Sequence, residues 1–205
     1  MIDAKEYLEA AITFHGHKCP VMPMGLRAGT AAMNWLGVKR ARDKELRAII
    51  ELGDDHYAHC FADGIQMVTG CTFGKENIRK TGYGKFGVTL VDRRSGHAVR
   101  VALKAEVQTR MKENPFFQEF RMKGVPPSQV PDAVVEPLIR MVMGMSEERL
   151  LSIGELFSCD EKTPSQPVES FVCDRCREMV VKKYGRLVEE QKVCIPCEEK
   201  LLAGK

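Results

Sequence analysis

The stretch Phe14-His15-Gly16-His17-Lys18-Cys19-Pro20 separates two helical patterns and decides how the first part of the chain folds. Before it, apolar residues recur at helical spacing behind a cap-like aspartate, which predicts an amphipathic helix over residues 4–14. The proline excludes helix at the cysteine before it, so the stretch is predicted to be an extended turn. A second helix is predicted to start after Pro23 and to run through Trp35.

Three metal-type donors occupy alternate positions of this turn. His15, His17 and Cys19 stand at i, i+2 and i+4, a spacing that aims all three side chains to one side of an extended chain. Cys19 also lies close to the start of the second helix, where a thiolate is favoured. Neutral imidazole and thiolate are the usual ligands of zinc. The spacing alone leaves a second interpretation open with equal weight, in which the histidines are ordinary turn residues and the cysteine is inert and buried.

The segment that follows predicts a mixture of strands and helices. A buried strand is expected over residues 46–52, and the polar stretch 53–74 is expected to contain a short helix over 63–69. Alternating apolar residues around the turn Asp92–Gly96 predict an antiparallel hairpin. Further helices and a last strand are expected at 114–122, 133–143 and 151–157, respectively.

The end of the chain carries two Cys-x-x-Cys pairs. Cys173 and Cys176 are separated by seventeen residues from Cys194 and Cys197, a spacing typical of a closed, structural Cys₄ zinc site. Short strands at 179–181 and 186–188 and a helix at 198–202 are expected around it, an arrangement that resembles treble-clef and ribbon-type zinc fingers. A redox dithiol or an unliganded tail is the alternative.

Composition sets the domain organisation and the class of protein. Proline and polar residues without periodicity predict a linker over 160–170, which would separate a core domain (1–159) from the zinc finger (171–205). With 205 residues, 44% hydrophobic, the chain can bury a substantial core. No apolar run is long enough to cross a membrane and no secretory signal is visible, so a cytoplasmic protein is expected. In that compartment the eight cysteines are better interpreted as ligands or reactive thiols than as disulfides. A net charge of only +3 argues against nucleic-acid binding.

The turn and a second motif, Cys60-Phe-Ala-Asp63-Gly-Ile-Gln66-Met-Val-Thr-Gly-Cys71-Thr-Phe-Gly-Lys75, together resemble the FmdE family of formylmethanofuran dehydrogenase subunits over about residues 5–155. The resemblance implies an α+β core with an antiparallel sheet and packed helices, a homodimer, and a cleft where the two motifs meet. Carried over by position, the residues of that cleft are His15, His17, Cys19, Cys60, Asp63, Gln66, Cys71 and Lys75.

The resemblance and the donor types together suggest roles for these residues. His17 and Cys60 would bind a second divalent metal, Cys19 or Cys71 would be the nucleophile or a further ligand, and Asp63 would orient an imidazole. The remaining two, Gln66 and Lys75, are expected to contact a cofactor. His56 and His59 are also close to the second motif, but we interpret them as exposed loop histidines.

Two functions of different class agree with these patterns. In one, the chain is accessory to, or part of, a larger formylmethanofuran dehydrogenase-like enzyme complex and binds a metal or small molecule. In the other, it is a stand-alone metal- or thiolate-dependent enzyme that acts on a small substrate. No complete acid, base and nucleophile set is evident from spacing, which favours the accessory function.

Overall fold

The protein divides into two compact units in a computed structural model that describes residues 1–54, 59–161, 163 and 168–203. The core unit spans Met1–Lys162 and the tail unit spans Thr163–Lys205. Much of the predicted linker 160–170 lies outside the described residues. Within the described part of the chain, no helix has the length and apolar character needed to cross a membrane.

The core unit contains six α-helices among its described residues. A 3₁₀ turn at Ala4–Tyr7, capped by the Asp3 carboxylate, leads into the first of them. Pro23 lies in the first turn of the second, where its missing N–H costs nothing. The helices are α1 (Leu8–His15), α2 (Met22–Leu36), α3 (Cys60–Thr69), α4 (Ala105–Lys112), α5 (Asp132–Gly144) and α6 (Glu147–Leu150).

One six-stranded sheet forms the other layer of the core unit. Its strands are β1 (Leu46–Ile50), β2 (Ile78–Lys80), β3 (Gly87–Asp92), β4 (His97–Leu103), β5 (Leu151–Ile153) and β6 (Phe157–Ser158). They are ordered β2-β1-β3-β4-β5, and β6 also pairs with β4. Only the β1–β2 pair is parallel among these pairings, so the sheet is mainly antiparallel. The predicted α+β class is confirmed.

The closest helix packing in the core unit joins α2 to α3. A Cβ added at Gly25 would lie 2.0 Å from the Phe61 carbonyl oxygen, and one at Gly64 would lie 2.2 Å from the Met22 carbonyl oxygen. The two backbones therefore touch, and only glycine allows this. The other face of α2 packs on β3 and β4. The contact fixes the N-terminal ends of α2 and α3 beside each other.

Several elements differ from the sequence predictions. Helix α3 begins at Cys60 rather than at residue 63, and the predicted last strand is divided into β5 and β6. The predicted helix at 114–122 is instead a π-helical turn, Phe116–Phe120, followed by the 3₁₀ turn Arg121–Lys123. Neither α4 nor the three-residue strand β2 was expected, because α4 buries only two residues and β2 has no periodicity to detect.

The tail unit consists of two short hairpins and a helix. Strand β7 (Ser170–Val172) pairs with β8 (Met179–Val181), and β9 (Gly185–Val188) pairs with β10 (Gln191–Cys194). The prediction that 179–181 and 186–188 form one hairpin is wrong, since each pairs with a strand beside a Cys-x-x-Cys motif. Helix α7 (Ile195–Ala203) begins inside the second motif, earlier than predicted.

Candidate functional site

The turn between α1 and α2 is held at both ends and in its middle. Helix α1 ends at His15, and Gly16 follows in the left-handed conformation with φ 90°. In the middle of the turn, Lys18 Nζ lies 2.6 Å from an Asp132 carboxylate oxygen and 2.7 Å from one of Glu136, both on α5. At its end, the Met22 N–H donates to Cys19 Sγ over 3.3 Å. The turn is therefore fixed by contacts to α5 and to the start of α2.

This geometry brings three donor atoms together. One ligand atom each from His15, His17 and Cys19 can be chosen so that all lie within 4.8 Å of one another. The centroids of the two imidazole rings are 4.2 Å apart. Ligands on a tetrahedral zinc ion are about 3.5 Å apart, given bonds of about 2.0–2.3 Å. Small side-chain rotations would therefore close this cluster around one ion.

Asp63 orients the first of these imidazoles. His15 Nδ1 lies 2.8 Å from Asp63 Oδ2, and Gln66 Nε2 donates to Asp63 Oδ1 over 3.2 Å. The carboxylate thus holds the proton on Nδ1 and leaves the lone pair on Nε2. His15 Nε2 is buried and has no hydrogen-bond partner among the described residues. A buried, unpaired nitrogen of this kind fits a metal ligand, because the carboxylate–histidine–metal arrangement requires this tautomer.

Charges in the cluster are strongly coupled. Hydrogen bonding to Asp63 and then to Cys19 raises the pKa of His15 to about 9. Burial and the neighbouring His15 lower the pKa of His17. The Cys60 thiol, His15 and the Met22 N–H hold the pKa of Cys19 well below its ordinary value despite burial. The Cys19 sulfur and burial raise the pKa of Cys60, so Cys60 stays protonated beside a Cys19 thiolate.

A cavity of about 210 Å³ opens beside the cluster. Four of its lining residues were predicted as site residues: His15, His17, Cys19 and Cys60. Its opposite wall comes from the π-helical turn and includes Phe116, Phe117 and Arg121. The sequence analysis missed this wall, because a phenylalanine pair and an arginine carry no spacing signal of their own. The local signal in hindsight is the Pro115 to Phe117 stretch, where the helix pattern is broken.

The structure does not bring every predicted residue to this cavity. Cys71 lies beyond the far end of α3, about 15 Å along the helix from Cys60, and burial raises its pKa to about 11. Lys75 Nζ donates to the carbonyl of Ala41, so it is engaged away from the cluster. His59 does line the cavity, and its Nε2 lies 2.9 Å from the Gly53 carbonyl oxygen. The interpretation of His56 falls outside the described residues.

The second group of donors lies in the tail unit. One sulfur each from Cys173, Cys176, Cys194 and Cys197 lies within 4.8 Å of the others. The Cys194 N–H donates to Cys173 Sγ over 3.3 Å. Burial opposes ionisation of Cys173, but the backbone N–H groups of Cys176 and Cys194 lower its pKa to about 6. The predicted Cys₄ cluster is present and its chemistry fits a metal such as zinc.

The fold and site together define a class: an α+β protein with a His/Cys donor cluster beside a cavity and a separate Cys₄ tail. Comparison with known proteins then gives the family. The model described as "FmdE, Molybdenum formylmethanofuran dehydrogenase operon" matches residues 14–152, and the chain belongs to this family. The predicted resemblance is confirmed.

Two individual proteins are similar to this chain. A "probable S-adenosyl-L-methionine-binding protein" of Archaeoglobus fulgidus is 38% identical over 98 residues, which are 45% of this chain and 25% of that protein. The chain thus spans about a quarter of the length of this curated relative. The crystal structure of an FmdE-like protein of tungsten formylmethanofuran dehydrogenase, from Syntrophus aciditrophicus, matches with a TM-score of 0.62 and 22% identity, covering 96% of this chain and 92% of that one. This second likeness shows the fold.

Proposed function

We propose that the core unit binds a divalent transition metal, of which zinc is the type, through His15, His17 and Cys19, and uses it to hold a small molecule. In this proposal the chain is accessory to, or part of, a formylmethanofuran dehydrogenase-like one-carbon system, as the family description suggests. The observation that carries the proposal is the buried, unpaired Nε2 of His15, oriented by Asp63 beside two further donors.

Three protein ligands leave one position of a tetrahedral ion for another molecule. The cavity of about 210 Å³ beside the donors would give a small molecule access to that position. A metal there would act as a Lewis acid and would supply a binding site for an oxygen or sulfur atom. The chain's own residues would orient the ligands, and the Cys60 thiol would hydrogen bond the Cys19 sulfur.

The tail unit has a different task in this proposal. Its four cysteines would hold a structural zinc in a treble-clef-like finger, and residues 160–170 would link it to a core domain ending near residue 159. A unit of this size buries too little apolar surface to be stable without metal. We propose further that the chain is a cytoplasmic homodimer and that the finger contacts a larger enzyme complex.

Metal analysis of the purified full-length protein tests the core site. We expect two zinc ions per chain in the wild type and one in His15→Ala, because the tail site remains. The matched control is His97→Ala, which removes an exposed histidine at the start of β4 and should keep both ions. A wild type with one zinc that His15→Ala leaves unchanged would contradict the proposed core site.

The alternative function is a stand-alone enzyme, and the cavity with its open metal position favours it to that extent. The two functions differ in what happens to a bound ligand. Mass spectrometry of ligand incubated with the purified chain, in the absence of other proteins, distinguishes them. A chemically changed ligand would support an enzyme, whereas an unchanged one supports an accessory function.

A further inference from the structure

The cavity beside the donor cluster has apolar walls and one fixed charge. Val21, Phe116, Phe117 and Pro127 supply much of its apolar surface. The two phenylalanine rings meet edge to face, with centroids 5.1 Å apart. Among the described residues that line the cavity, Arg121 alone carries a charge that is independent of pH near neutrality. A single permanent cation in an apolar cavity is a strong selector for ligand charge.

The backbone places Arg121 at this position in an unusual way. The π-helical turn Phe116–Phe120 ends directly before it, and π turns are rare and often occur at functional sites. Arg121 Nη1 donates to the carbonyl of Val125, which fixes the guanidinium with only one of its five N–H groups used. In the part of the chain that the structure describes, no carboxylate forms an ion pair with it. The half-buried guanidinium therefore has donors available for a ligand.

We propose that the ligand of this cavity is a small carboxylate, with its carboxylate on Arg121 and a sulfur or oxygen atom directed towards the donor cluster. The inference rests on the proposed metal centre. With a divalent ion, a Cys19 thiolate and the Asp63 carboxylate in place, Arg121 leaves about one excess positive charge at the site. An anionic ligand neutralises that charge, and a neutral ligand does not.

The cavity volume limits the size of this ligand. About 210 Å³ corresponds to roughly seven water molecules at about 30 Å³ each. A molecule of roughly five to eight non-hydrogen atoms fits, and a nucleotide does not. Hydrogen bonds between charged groups in such a site change affinity by about 10- to 100-fold. The arginine should therefore separate a carboxylate from its neutral amide by about that factor.

Cobalt spectroscopy on the full-length protein tests this preference. The core site is observed as the visible absorption of the Co²⁺-loaded wild type minus that of Cys19→Ser, which keeps the tail site. The probes are mercaptoacetate and mercaptoacetamide, which have the same number of non-hydrogen atoms and the same sulfur donor. We expect mercaptoacetate to shift the core bands with an affinity about 10- to 100-fold higher than mercaptoacetamide.

Substitution of the arginine separates this inference from the metal centre. In Arg121→Gln the core bands should remain and the two probes should bind about equally, while Arg121→Lys should keep part of the preference. Core cobalt bands with equal affinity for both probes in the wild type would overturn the inference and leave the metal centre standing. A wild type without core bands would overturn both. A preference that Arg121→Gln leaves unchanged would show that Arg121 does not bind the carboxylate.

Discussion

The contact between α2 and α3 gives the most quantitative prediction. In Gly25→Ala the new methyl carbon would lie 2.0 Å from the Phe61 carbonyl oxygen, whereas ordinary contact needs about 3.4 Å. Both atoms belong to, or are bonded to, helix backbone, so rotation of a side chain cannot relieve the overlap. The helices must separate by about 1.4 Å. A gap of that size removes a large part of the dispersion energy of every side chain that crosses the contact.

The cost can be estimated from the residues at this contact. Leu26, Phe61 and Ile65 are all fully buried there, so the loss resembles that of a large core side chain. We expect the free energy of unfolding to fall by about 3–5 kcal/mol. With a urea m-value of about 2 kcal/mol/M, the midpoint should fall by about 2 M.

Urea unfolding followed by tryptophan fluorescence measures this change in the core unit alone. Trp35, at the end of α2, is the only tryptophan of the chain, so the signal does not report the tail. The control is Gly144→Ala in α5, where an added Cβ meets nothing within 4 Å. It should be neutral or stabilise by up to about 1 kcal/mol. If Gly25→Ala unfolds within about 0.3 M of the wild type, the backbone contact and the argument from it are wrong.

Three further predictions concern the metal sites and the end of the core unit. Cys176→Ser should lose the tail metal and make the tail sensitive to protease, while the fluorescence midpoint stays unchanged; a resistant, fully loaded tail would contradict this. Asp63→Asn should weaken zinc binding at the core site about 10- to 100-fold in chelator competition, and wild-type affinity would show that the bond to His15 does not matter. Glu161 accepts from Arg47 and Arg79, at 3.2 and 3.3 Å, so Glu161→Ala should lower core stability by about 1–2 kcal/mol in urea unfolding. An unchanged midpoint would show that this ion-pair group is not stabilising.

Sequence reasoning succeeded where chemistry and local geometry agree. Pro20 forced the turn open and the spacing of His15, His17 and Cys19 placed their side chains together, as the structure shows. The paired cysteines of the tail gave the cluster directly. In both cases the constraint acts over a few residues, so it can be read without knowing the fold.

The rest of the site depends on contacts that local patterns do not encode. Arg121 and the phenylalanine wall reach the cavity through a π-helical turn that a helix pattern cannot distinguish from an ordinary helix. Cys71 was assigned to the cleft because it shares a motif with Cys60, but the intervening helix holds the two about 15 Å apart. The tail strands were paired by proximity in sequence, and the structure pairs each with a different partner.

The ion pairs between Lys18 and α5 have a consequence for how the protein is made. Lys18 sits between two of the donors, and its partner Glu136 lies 118 positions further along the chain. At a synthesis rate of about 5–20 residues per second, roughly 6–24 s pass between the appearance of the donors and that of the residue that tethers them. During this interval the nascent chain carries imidazole and thiol groups that are not yet held in place. Metal loading of the core therefore belongs to the completed chain, after α5 has been synthesised and packed.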